Sequence, residues 1–245
     1  DKALPYFPIS EENPFLGWRG IRVTLDHPEI YLAQIRAMMK ANADFGNLRI
    51  MLPMISNVME LEEALELLYR AHEELLEEGY KMELPPVGVM IEVPAAVYQA
   101  REFARRVDFL SVGSNDLTQY LLAVDRNNPR VADLYHAYHP AVLRALKIIV
   151  DGGHAEGKPV SICGELAGDP GAAVLLMAMG FDVLSMSAYN LPKVKAVIRQ
   201  ITKAQAVELL NSVLELENNR DIEEKVNETL AQLGVIMPSR VKFSG

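Results

Sequence analysis

The stretch VDFLSVGSNDLTQYLLAVDR, residues 107–126, decides how this chain is read. Its apolar opening, Phe109 to Val112, has the character of a buried strand and breaks at Gly113. Ser114, Asn115 and Asp116 follow, and a helical pattern begins at Leu117. α/β proteins place ligand chemistry where a strand ends in such a turn before a helix. Asp116 is a hard oxygen ligand, Asn115 offers an amide, and Arg126 lies about three turns further on. Together they suit a divalent cation and a phosphate. The competing reading makes Asn115 or Asp116 a simple helix N-cap.

Outward from this stretch the same unit recurs. Residues 48–54 (LRIMLPM), 87–93 (VGVMIEV), 159–163 and 183–186 read as further strands. Helical periodicity covers 28–39, a segment capped by Ser56 or Asn57 and stopped at Gly79, and 94 to about 106. It resumes from Pro140 past Gly152-Gly153, then over 171–179 and 192–198. His72 falls in an apolar helical stripe and reads as a core or boundary residue. Residues 19–25 (RGIRVTL) fit a short strand or a turn. Strands alternating with helices predict a parallel sheet covered by helices. A (β/α)8 barrel and an open doubly wound sheet both fit. Five clear strands and a doubtful one leave a closed barrel about two short. With a start at Asp1-Lys2, without Met, the missing strands are expected upstream. We therefore expect residues 1–200 to form a partial (β/α)8 barrel, truncated at its N-terminal side. Residues 201–245 follow as two amphipathic helices, 203–216 and 221–233, and a tail.

The polar residues that interrupt the strands sit at one end of each. Glu92 ends the second strand, Asn115 and Asp116 follow the third, Cys163 ends the fourth, and Ser185 and Ser187 bracket the end of the fifth. In a parallel barrel those ends converge on one face. A carboxylate inside MIEVP is costly unless a cation meets it. Cys163 has two readings, a small core hydrophobe and a thiol acid. The net charge of −9 argues against nucleic acid and anionic membranes as partners. One cysteine excludes an internal disulfide framework and suits a reducing, cytoplasmic location. No apolar run is long enough to span a bilayer.

Four motifs in order, ENPFLGWRGIR, GVMIEVPAA, GSNDLTQYLLAVDR and CGELAGDPGA, carry a resemblance over almost the whole chain. They resemble the phosphoenolpyruvate-binding domain of enzyme I of the bacterial sugar phosphotransferase system, a phosphoenolpyruvate-protein phosphotransferase. Within that family the sequence looks closer to the nitrogen-related paralogue. Pyruvate phosphate dikinase and phosphoenolpyruvate synthase share versions of the motifs. The resemblance implies a phosphoenolpyruvate/pyruvate-type (β/α)8 TIM barrel that forms a homodimer. It makes Glu92 and Asp116 ligands of Mg²⁺, and Arg19, Asn115, Asp116 and Arg126 substrate contacts. Cys163 becomes the acid that protonates enolpyruvate.

The implied partners are phosphoenolpyruvate, an N-terminal phosphohistidine domain and a small phosphocarrier protein. None of His27, His72, His136, His139 or His154 matches the phosphohistidine motif. Two further substrate arginines of the family lie upstream of Asp1, so the chain alone is expected not to complete the reaction. Three other readings stand beside this one. The first is a dikinase or synthase fragment, the same half-reaction joined to a nucleotide-binding domain. The second is an aldolase or lyase of the same superfamily, which Cys163 and Arg126 disfavour. The third is a phosphoenolpyruvate-sensing dimerisation module that transfers nothing.

Overall fold

The computed structural model of the chain describes residues 10–236. Five parallel strands form one sheet: β1 (Ile50–Leu52), β2 (Val87–Ile91), β3 (Phe109–Gly113), β4 (Val160–Cys163) and β5 (Val183–Ser185). Their spatial order is β1-β2-β3-β4-β5. A doubly wound sheet reverses its strand order at a switch point. This sheet steps in one direction throughout, as a barrel wall does, and it is not closed among the described residues. β2 and β3 are almost wholly buried, whereas β5, at the edge, alternates exposed and half-buried positions.

Register is set at the strand starts by two alternating devices. Asp108 accepts from the Val87 backbone N–H at 2.8 Å while its own N–H donates to the Val87 carbonyl at 2.7 Å. Asp182 repeats this on Val160, at 2.8 and 2.9 Å. Between these pairs, the carbonyls of Pro86 and Pro159 accept from Ile50 and Leu110 at 2.9 and 3.0 Å. Proline donates no hydrogen bond, so it is tolerated at a strand's first position, where only its carbonyl is used.

Helices follow the strands: α1 (Ile21–Asp26) and α2 (Pro28–Asn42) precede β1, and α3 (Val58–Glu77) follows it. Asn57 starts α3 with a capping box: its Oδ1 accepts from Glu60 N at 2.9 Å and Glu60 Oε2 accepts from Asn57 N at 3.3 Å. Leu61, Leu65, Leu68 and Leu75 then face the core at helical spacing. α4 (Pro94–Val97) and α5 (Ala100–Ala104) follow β2, α6 (Ser114–Leu122) and α7 (Pro140–Ala155) follow β3, α8 (Pro170–Met179) follows β4, and α9 (Leu191–Ile198) follows β5. The last two helices, α10 (Lys203–Leu214) and α11 (Asn219–Gln232), share the same apolar core through Leu209, Leu210, Val226 and Leu230. α8, buried on nearly every side, lies against α10.

Three local expectations change. Most of residues 19–25 are neither strand nor turn: α1 takes up 21–25 after a turn at Gly20, because fully buried Ile21 lets a helix of one and a half turns pack on α2 and α3. The helix expected over 94–106 is two, since Gln99 leaves helical geometry and its side chain donates to Ser56 O at 3.0 Å. α6 begins at Ser114 rather than Leu117, with Gly113 as its N-cap residue. His72 is a boundary residue, its Nε2 3.3 Å from Met82 O. Residues 1–9 and 237–245, including the expected tail, lie outside the described residues.

Candidate active site

Register brings the site together. Ile91 pairs with Val112 and Gly113 with Cys163, so Glu92, Gly113 and Cys163 stand level at the C-terminal ends of β2, β3 and β4. Glu92 is 4% exposed, and its Oε1 accepts from the Met54 backbone N–H at 2.7 Å. Burial pushes its carboxyl up to about 7; the Met54 N–H opposes this, and the neighbouring Asp116 carboxylate adds to it. Asp116 lies in the first turn of α6, where the helix dipole favours an anion. It caps nothing: the N-cap residue Gly113 precedes it, and Asp116 faces two arginines instead. Oδ1 is 3.3 Å from Arg126 Nη1, and Oδ2 is 3.8 Å from Arg19 Nη2.

Arg126 reaches Asp116 by a route other than a continued helix. α6 ends at Leu122, Ala123 turns left-handed with φ 52°, and buried Gln119 accepts from Arg126 N at 3.2 Å through its Oε1. The chain therefore doubles back on the helix start. Arg19 is held by Tyr120, whose hydroxyl accepts from Nη1 at 3.3 Å, and lies 5.5 Å over the Phe15 ring. The Tyr120 hydroxyl in turn donates to Phe15 O.

Asn115 tethers the opposite wall. Its Oδ1 accepts from Glu165 N at 3.1 Å, and its carbonyl accepts from Tyr135 at 3.3 Å. Ser114 Oγ donates to Cys163 O at 2.7 Å. Between them Gly164 takes φ +111°, and a Cβ there would lie 2.3 Å from Ser114 Oγ, so only glycine fits. The half-buried Cys163 thiol is raised by burial, then by the Glu92 and Asp116 carboxylates, which keeps it protonated. It lines a cleft of about 350 Å³ with Asn115, Glu165, Ser185, Ser187 and Asn190.

The donors fit a hard divalent cation. Asp116 Oδ1 and Arg126 Nη1 are buried yet lack hydrogen-bond partners, although they face one another. Buried charged atoms left misaligned in this way suit further groups, a cation at the carboxylate and an anion at the guanidinium. Glu92 and Asp116 supply two carboxylates, as Mg²⁺ takes when substrate oxygens and water complete its shell. No cluster of three or more His, Cys, Asp or Glu residues among the described residues could form an all-protein cage.

All the residues singled out from sequence, Arg19, Glu92, Asn115, Asp116, Arg126 and Cys163, thus gather at one face. Sequence reasoning missed Met54, Gln119, Tyr120 and Tyr135. Gln119 and Tyr120 stand three and four residues after Asp116, so helical spacing within the opening motif could have found them. Met54 and Tyr135 carried no such signal.

The sequence profile described as "PEP-utilising enzyme, PEP-binding domain" matches residues 1–203. A curated relative from Escherichia coli (strain K12), named "Phosphoenolpyruvate-dependent phosphotransferase system", is 48% identical over 96% of this chain and 32% of its own length. The "Phosphoenolpyruvate-protein phosphotransferase" of Haemophilus influenzae is 45% identical over 95% of this chain and 40% of its own. The chain thus spans 32–40% of the length of these relatives. A citrate lyase from Burkholderia xenovorans LB400 superposes with a TM-score of 0.53 at 18% identity, covering 88% of this chain and 72% of that one. At that identity it speaks for the fold alone. Matched over most of its length, the chain belongs to the PEP-utilising enzymes, as their PEP-binding domain.

Proposed function

We propose that this chain binds phosphoenolpyruvate in a phosphoenolpyruvate-protein phosphotransferase and passes its phosphoryl group to a histidine on a separate N-terminal domain. The observation that carries the reading is Asp116, flanked by Arg19 and Arg126 and beside buried Glu92. Phosphoryl transfer needs little covalent help from the protein and much positioning and charge neutralisation. Glu92 and Asp116 would hold magnesium, which supplies positive charge to the phosphoryl oxygens when bound. Arg126 takes the phosphoryl group with its fork of N–H donors, and Arg19, fixed by Tyr120, adds a second cation. The Asn115 carboxamide orients substrate while holding the 164–165 turn. The bond from phosphorus to the enol oxygen breaks as the one to the histidine nitrogen forms. Cys163 then gives its proton to the methylene carbon of enolpyruvate, and water restores the thiol.

The names of the curated relatives support a phosphotransferase over a dikinase or a synthase. The reading extends to a small phosphocarrier protein as next acceptor, a homodimer, the cytoplasm and the nitrogen-related branch. No helix among the described residues is long and apolar enough to cross a membrane. The test mixes the chain with the N-terminal domain of a relative, phosphoenolpyruvate and Mg²⁺, and seeks phosphohistidine by mass spectrometry. Pyruvate release with phosphohistidine on that domain is the expected result. Tight substrate binding without either product would favour a sensing module instead.

A further inference from the structure

Among the described residues two that are not glycine have positive φ, Met54 at 59° and Ala123 at 52°. Ala123 ends a helix, an ordinary use of the left-handed conformation. Met54 ends no helix. It follows β1 in the sequence Pro53-Met54-Ile55 and is 3% exposed. Its conformation aims a backbone N–H at Glu92 Oε1, 2.7 Å away. Strain of this kind persists only where surrounding structure imposes it, and it concentrates at functional sites.

One neighbouring turn packs directly against Met54. Gly20, with φ 58° and ψ −130°, abuts the Met54 side chain. A Cβ on Gly20 would lie 2.8 Å from Met54 Cγ and 2.9 Å from its Cβ. The residue before Gly20 is Arg19, whose Nη2 stands 3.8 Å from Asp116 Oδ2. One contact between two turns therefore couples the backbone that carries Arg19 to the backbone that holds Glu92.

We propose that Met54 is a positioning residue: its left-handed backbone, locked against Gly20, fixes the Glu92 carboxylate for cation binding. The N–H bond holds Oε1 and leaves Oε2 without that tie. The inference rests on the reading of Glu92 as a cation ligand. It assigns the role to the backbone of Met54, with the thioether serving to wedge the turn.

Leucine and isoleucine separate these roles because they are isomers. Both fill the site with equal apolar bulk, but β-branched isoleucine resists positive φ far more strongly. Glycine adopts it freely while leaving the wedge empty. The experiment measures Mn²⁺ affinity of the 245-residue chain by electron paramagnetic resonance for Met54→Leu, Met54→Ile and Met54→Gly. Thermal stability and hydrogen exchange of the residue-54 amide accompany it. Met54→Leu and Met54→Gly should bind Mn²⁺ close to the parent, and Met54→Ile about 10–100-fold more weakly, the usual cost of losing an outer-shell hydrogen bond. Met54→Gly should nevertheless be the least stable, having lost a buried side chain.

Affinity that simply follows stability, with glycine worst in both, would overturn the proposal and leave Met54 a packing residue. Equal affinity for leucine and isoleucine would overturn it too. If the parent chain binds no Mn²⁺, the cation reading fails by itself, and amide exchange then decides. Protection in the leucine and glycine variants but not in isoleucine upholds the positioning, and equal protection in all three rejects it.

Discussion

Arg126 and Asp116 meet across the two ends of one short helix, Nη1 to Oδ1 at 3.3 Å. Both atoms are buried, and neither has a hydrogen bond. An aligned ion pair would satisfy each and leave little reason for another ligand. This one holds a cationic fork and a carboxylate at close quarters without joining them, as the proposed binding of an anion and a metal would require.

The first prediction follows from that geometry. Arg126→Lys keeps the charge but loses the planar fork. Phosphoenolpyruvate affinity, measured by titration calorimetry with Mg²⁺ present, should fall about 10–100-fold, the worth of one charge-assisted hydrogen bond. Unchanged affinity would make Arg126 a partner of Asp116 and nothing more.

The second concerns pH. The Glu92 carboxyl, ordinarily at 4.5, is raised to about 7 by burial and by Asp116. Between those values the folded chain holds a proton that the unfolded chain releases. Ion-free stability should therefore decline as pH rises through that window, by about 3 kcal/mol in all, and level off above it. Urea unfolding across this range reads the effect directly. Glu92→Gln should flatten the slope. Added Mg²⁺ should oppose it, since the cation binds the ionised form and displaces the proton. A slope that persists in Glu92→Gln would point to another group.

Cys163 carries the third. Burial and the two carboxylates raise its thiol, so alkylation near neutral pH should be slower than for a free thiol. An acid acts after phosphorus has moved. Cys163→Ser, reconstituted with an N-terminal domain, should therefore still bind substrate and retain some phosphoryl transfer. Stereospecific protonation of enolpyruvate and the reverse reaction from pyruvate should suffer most. Intact chirality of pyruvate formed in deuterated water, together with an intact reverse rate, would reduce Cys163 to a bystander.

The fourth tests the turn beneath the thiol. Gly164→Ala meets both a positive φ and a Cβ placed 2.3 Å from Ser114 Oγ. It should cost about 1–3 kcal/mol of stability for the strained backbone, with more from the clash. Gly157→Ala, at φ +68° but with nothing within 4 Å, is the control and should cost about 1–2 kcal/mol. Equal losses would mean that the turn yields and that Ser114 does not brace it.

Much of this was legible along the chain. The N-cap at Ser56 or Asn57, which proves to be Asn57, the prolines opening α2, α4, α7 and α9, and the succession of strands and helices along the chain follow from signals within single segments. So does the placing of Glu92, Asp116 and Cys163 at strand or helix ends. Such features depend on periodicity and on backbone groups a few residues apart, which sequence displays directly. Where a segment was too short to show a period, the reading slipped: residues 19–25 fit two patterns, and burial of Ile21 between helices chose the third. Strand order was likewise hidden, because barrel and doubly wound sheet share the same strand–helix unit and differ only in which edge each new strand joins. The return of Arg126 to Asp116 depends on buried Gln119 and a left-handed Ala123, and the Met54–Glu92 bond joins residues 38 apart. Those contacts are chosen by which surfaces can be buried together. That is a property of the packed chain, and no single segment carries it.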